Sequence, residues 1–74
     1  MNMNKITAKR EMLEKCYPAG TRIVCDRMED DYAVPSGTVG TVICVDGIGQ
    51  IQVKWDNGST LALNDDVDSF HKVK

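Results

Sequence analysis

The sequence predicts a mainly β fold, a small five-stranded barrel preceded by a short N-terminal α-helix, and three observations carry this reading. All six glycines and both prolines lie beyond residue 17, so the chain changes character there. The window from Gly37 to Gly58, GTVGTVICVDGIGQIQVKWDNG, holds five of the six glycines as punctuation between β-branched runs. Within it, Ile51, Val53 and Trp55 alternate with Gln52 and Lys54, the period-two pattern of a strand with one face buried.

Taken in order, Lys5 to Cys16 is rich in helix formers, with Ile6, Met12, Leu13 and Cys16 as a partial apolar stripe broken by Lys9 and Arg10. Asn4 and Thr7 are candidate N-caps, and neither has the glutamate three residues on that completes a capping box. A helix of about 12 residues is marginal alone in water, so this one must dock on the barrel or fray. After Tyr17-Pro18-Ala19-Gly20 the first strand begins at Thr21, with Ile23 and Cys25 alternating against Arg22, Val24 and Asp26. Met28 to Ser36 carries three consecutive acids and Pro35, which resist regular pairing and predict a long loop.

Thr38 to Val45 is apolar on both faces, with Val39, Ile43 and Val45 on one and Val42 and Cys44 on the other. Such a strand is buried twice or bends sharply, and Gly40 is the expected place for a bend or bulge. Asp46-Gly47-Ile48-Gly49 supplies a hairpin turn into the third strand, Gln50 to Trp55. Asp56-Asn57-Gly58 supplies the next turn, into a fourth strand from Ser59 to Leu63 with Leu61 and Leu63 inward. Asn64 to Asp68 reads as a short helical turn and Phe70 to Val73 as the closing strand. This order is that of a Src-homology-3-like barrel, and closure would remove most of the exposed strand edge. The division is an N-terminal helical arm, residues 1–16, and a barrel, residues 17–74.

Seventy-four residues allow one domain whose small core has little stability to spare for a buried polar catalytic site. Hydrophobic content of 42% with 27% charged residues is that of an ordinary globule, and no run approaches the roughly 20 apolar residues of a membrane span. The N-terminus has charge where a signal peptide has an apolar stretch, so no export is expected. Cys16, Cys25 and Cys44 are odd in number and widely spaced, against a disulfide framework or zinc site. Cys25 and Cys44 sit in apolar strand patterns and are expected in the core, and reduced thiols fit a cytoplasmic location. Residues 1–16 carry four bases and two acids, whereas residues 17–74 carry five bases and nine acids. An acidic barrel repels phosphate backbones.

The segments Tyr17-Pro18-Ala19-Gly20-Thr21, Pro35-Ser36-Gly37-Thr38-Val39-Gly40-Thr41-Val42 and Val53-Lys54-Trp55-Asp56-Asn57-Gly58, followed by Leu61-Ala62-Leu63 and Asp68, resemble the bacterial and phage-associated family called domain of unknown function forty-three fourteen. The resemblance spans residues 17–73. It implies a Src-homology-3-like fold and frequent association with mobile elements, and it carries no established activity. A weaker similarity, on Gly37, Gly40, Val42 and Val45, runs to the KOW motif of ribosomal and transcription proteins.

The acid runs Glu29-Asp30-Asp31 and Asp65-Asp66-Val67-Asp68 lack the alternating acids, central glycine and terminal glutamate of a calcium loop, and read as solvated loop charge. His71, the single histidine, has no cysteine or serine near it in sequence and is expected on the surface of the closing strand. Trp55 shares a face with Ile51 and Val53 and is expected in the core. It ends its strand, whereas the groove tryptophan of peptide-binding Src-homology-3 domains begins one. Their tyrosine-rich first loop is also missing, so proline-rich ligands are not expected.

Tyr32 beside Asp30 and Asp31 is the best contact candidate, since tyrosine offers contact area at low entropic cost and the acids favour a basic partner. The expectation is therefore a non-enzymatic interaction module, monomeric and without catalytic residues, cofactor or metal, binding a protein or peptide through Met28, Asp30, Asp31 and Tyr32. The alternative is a nucleic-acid-binding accessory using Lys5, Lys9, Arg10 and Lys15. The helix separates the two: cations that pair with the barrel's acids are structural.

Overall fold

A computed structural model describes residues 3–73. Helix α1 covers Met3–Cys16, and the strands are β1 (Arg22–Arg27), β2 (Val39–Val45), β3 (Ile51–Trp55) and β4 (Ser69–Lys72). They form one antiparallel sheet in the order β3-β2-β1-β4. The sheet is four-stranded and open, which corrects the expected five-stranded closed barrel. Helix α1 already contains Asn4 and Thr7, so neither is its N-cap.

The missing strand is Ser59 to Leu63, which makes a single bridge, Leu63 to Ile51. The Trp55 amide also donates to the Ser59 carbonyl at 2.9 Å, but between these contacts the polar groups of Leu61 turn to side chains. The Trp55 indole N–H donates to the Leu61 carbonyl at 2.9 Å, and the Leu61 amide donates to Ser59 Oγ at 3.3 Å. Groups engaged by side chains do not extend a ladder. Leu63 is nevertheless fully buried, and Leu61 is half-buried.

The core is where the period-two pattern puts it. Ile23 and Cys25 of β1 and Ile51, Val53 and Trp55 of β3 are at most 1% exposed. Gly40 stays in register opposite Trp55, and an added Cβ would stand 2.6 Å from Trp55 Cε3 and 2.6 Å from Val53 Cγ1. Gly40 therefore makes room for the indole; it does not bend the strand. The register shift falls between Val42 and Cys44, so the bulge is at Ile43. An extra residue there lets Val42 and Val45 both face inward, three positions apart, and turns Ile43 and Cys44 out to solvent. The bulge thus removes Cys44 from the core.

Helix α1 docks. Leu13 is 2% exposed within the core cluster, while Met12 and Cys16 remain exposed and Ile6 is half-buried, so the stripe is narrower than the sequence pattern. The Tyr17 amide continues the helix by donating to the Leu13 carbonyl at 2.7 Å. Gly20, at φ 92°, then donates to the Val42 carbonyl at 2.8 Å, and the Val42 amide donates to Thr21 at 2.9 Å. The connection from helix to sheet is thereby laced to β2.

Candidate interaction surface

The loop between β1 and β2 is fixed at both feet and free at its tip. At the first foot, the Glu29 amide donates to Asp68 Oδ1 at 2.7 Å, and the other oxygen of Asp68 accepts from the Asn64 amide at 2.8 Å. One carboxylate so joins the loop to the turn before β4. At the second foot, the Thr38 hydroxyl and amide both donate to the Pro35 carbonyl, at 2.6 and 3.1 Å, and the Gly37 amide donates to Cys25 at 2.7 Å. Between them Val34 is 5% exposed and packs into the core.

The expected contact residues divide accordingly. Met28 is half-buried against the core. Asp30 organises the tip: its Oδ1 accepts from the Tyr32 amide at 2.7 Å and its carbonyl from the Ala33 amide at 3.2 Å. Asp31 and Tyr32 are presented outward, with Tyr32 84% exposed. Arg27 at the loop's entry pairs with Glu29 at 2.9 Å.

The basic helix residues are placed differently. Lys9 Nζ lies 2.8 Å from Asp65 Oδ1 and 2.9 Å from Asp66 Oδ2, and these two carboxylates hold its ammonium above the ordinary lysine range. Its stem runs over Gly49 of the β2–β3 turn, 3.6 Å from where a Cβ would stand, so one side chain ties helix, hairpin and the 64–68 turn together. Arg10 is half-buried and pairs with Glu14 at 3.4 Å one turn on. Lys5 and Lys15 are exposed. The four cations thus do not form one free basic face.

The second acid run is not simple solvated charge: Asp65 and Asp66 hold Lys9, and Asp68 holds two backbone amides. The sequence signals for Asp68 are its place in that run and among the residues of the family resemblance, and neither shows its partners, which are 4 and 39 positions away. His71 is exposed on β4, with Nδ1 2.8 Å from Asp26 Oδ2 on β1. On the outer face Arg22 grips Asp56 with both terminal nitrogens, at 2.8 and 2.7 Å, and also donates to Thr41 at 2.9 Å. The guanidinium holds the Asp56 carboxyl below the usual range.

Asp46 organises the β2–β3 turn. Desolvation pushes its pKa up, but hydrogen bonds from the Gln50 amide, the Gln52 side chain and the Ile48 amide, with Arg10 nearby, outweigh that and hold it below the usual range. The Cys25 thiol is pushed up by burial, with Asp68 and Asp26 adding to the shift, and it packs in the core. Cys16 and Cys44 are free and exposed. Among the described residues no group of three His, Cys, Asp or Glu is placed to hold a metal ion, and no helix is long and apolar enough to cross a membrane.

A groove of about 390 Å³ lies beside this surface, between the last turns of α1 and residues 65–70. It shares Asp68 with the loop's first foot.

No curated protein and no solved structure matches the chain. The family described as "Domain of unknown function (DUF4314)" matches residues 7–73, beginning inside α1 and running through β4, so it takes in most of the docked helix together with the sheet. The chain therefore belongs to that family.

Proposed function

We propose that this chain is a non-enzymatic interaction module that binds a protein or peptide through residues 28–36. Asp31 and Tyr32 make the contacts, and Met28 and Asp30 shape the loop that presents them. The observation that carries this reading is Tyr32, 84% exposed on a loop whose two feet are pinned by hydrogen bonds and by buried Val34. A pre-formed loop loses little entropy on binding, and an exposed aromatic ring supplies contact area. The reading as a Src-homology-3-like module is supported by a strand order in which residues 59–63 stand where a further strand would pair. A bacterial or phage-associated setting follows from the family resemblance, and a cytoplasmic location and a monomeric state complete the proposal.

The test is a pull-down from the native host with the wild-type chain and the Asp31→Ala/Tyr32→Ala double variant. Proteins captured by the wild type should be lost from the variant. Unchanged capture would remove the loop as the site. A parallel polarisation titration with single-stranded RNA and duplex DNA at low salt is expected to show no binding, because Lys9 and Arg10 are engaged within the fold. Binding there that weakened steeply with salt would favour the nucleic-acid alternative instead.

A further inference from the structure

We propose that the groove between α1 and β4 receives the side chain of an arginine or lysine carried by a protein partner. The proposal rests on the reading of the chain as an interaction module and adds the chemistry of what it binds. The groove is lined by the apolar Met12, Leu13, Tyr17 and Phe70 together with the acids Asp65 and Asp68, and among the described residues the nearest cation to that lining is Lys72, over Tyr17. Such a site fits a long side chain whose methylenes lie on the apolar lining while the charged head reaches the acids.

The charge is unbalanced. Lys9 is paired with both Asp65 and Asp66, while among the described residues Asp68 is engaged by two backbone amides and by no cation. With Lys72 over the Tyr17 ring, two positive against three negative charges leave −1 along this edge. Each Asp68 oxygen accepts one amide, and a carboxylate oxygen can accept a second donor.

The aromatic lining also suits a cation. The Tyr17 and Phe70 rings lie with centroids 5.2 Å apart and tilted by 58°, and the chain's own Lys72 ammonium sits 5.3 Å from the Tyr17 centroid. A guanidinium can lie against such rings while its N–H fork meets a carboxylate, so arginine is the better occupant. Because Asp68 also holds the Glu29 amide, a partner resting on the 28–36 loop would have this groove within its footprint.

The experiment is a proton–nitrogen NMR titration of the full chain with the blocked tripeptide acetyl-Gly-Arg-Gly-amide and with its citrulline counterpart, which has nearly the same shape and no charge. The arginine peptide should shift the amides of Cys16, Tyr17 and residues 65–70, and the citrulline peptide should bind roughly tenfold more weakly, because it cannot make charge-assisted bonds. Met12 is 52% exposed, so Met12→Lys keeps the fold while placing a cation in the groove, and it should weaken the arginine peptide by a similar factor. Equal shifts from both peptides, shifts centred outside the groove, or a Met12→Lys variant that binds as the wild type does would each overturn the proposal. The Asp31→Ala/Tyr32→Ala variant keeps the groove and should titrate like the wild type. Failure of the loop reading is thus distinguishable from failure of the groove.

Discussion

The β2–β3 hairpin and the β1–β2 loop both use an aspartate to organise a turn, yet they are held by different forces. In the hairpin, Asp46 only finishes what packing has fixed, because Val42, Val45, Ile51, Val53 and Trp55 are all turned inward. In the loop, Val34 is the only fully buried side chain, and the rest of the path is set by hydrogen bonds to Asp68, Asp30 and Pro35. The hairpin commits its inward side chains to the core, although Ile43 and Ile48 remain exposed on it. A segment pinned at its feet by polar contacts keeps its tip for contact, which is why the proposed function lies in the loop.

The hairpin core is most sensitive at Gly40. Gly40→Ala places a methyl 2.6 Å from the Trp55 ring and Val53, and should cost about 1–3 kcal/mol in denaturant unfolding without altering the loop's own contacts. A cost near zero would mean that the hairpin core is loosely packed. The loop's counterpart is Asp68→Asn, which can accept from only one of the two amides in place and should cost about 1–2 kcal/mol. Its signature should be local, as faster hydrogen exchange across residues 28–36 with the β2–β3 ladder still protected. Equal acceleration in both regions would show that they open as one unit.

The polar half of the hairpin is read by pH. Asp46 and Asp56 have folded pKa values depressed below the ordinary 3.8. Each contributes stability that is present above 3.8 and is lost as pH falls from there through the lower folded value. The expected profile is flat toward neutrality with an acid limb, and Asp46→Asn should make that limb shallower. An unchanged limb in thermal melts from pH 5 to pH 2 would show that its carboxylate has no such role. The smallest effect is expected at the loop tip, where Tyr32→Ala should change stability by less than about 0.5 kcal/mol, since the ring is 84% exposed. A larger loss would mean that Tyr32 serves the fold and is not available to a partner.

Much of the fold is legible along the chain because a strand's inward set repeats every two residues. Ile23 with Cys25, and Ile51 with Val53 and Trp55, are buried as that period requires. The hairpin turns are legible for a similar local reason. Gly49 and Gly58, at φ 85° and 93°, take the backbone conformation that turn glycines supply. The candidate site is legible in part, since the loop and exposed Tyr32 follow from the acid run and Pro35. Which of its residues are spoken for does not, because Met28 is engaged by the core and Glu29 by Asp68, 39 positions away.

Spacing along the chain is enough to specify a mainly β fold with one N-terminal helix, the apolar faces of β1 and β3, and the long acidic loop. These rest on spacing within a few residues. It takes the folded molecule to show that the bulge falls at Ile43 and so exposes Cys44, that Leu61 gives its polar groups to the Trp55 and Ser59 side chains while residues 59–63 keep one bridge to β3, and that Lys9 and Asp68 are fasteners. Each of these depends on which groups compete for the same partner once distant segments meet, and neither periodicity nor composition records that competition.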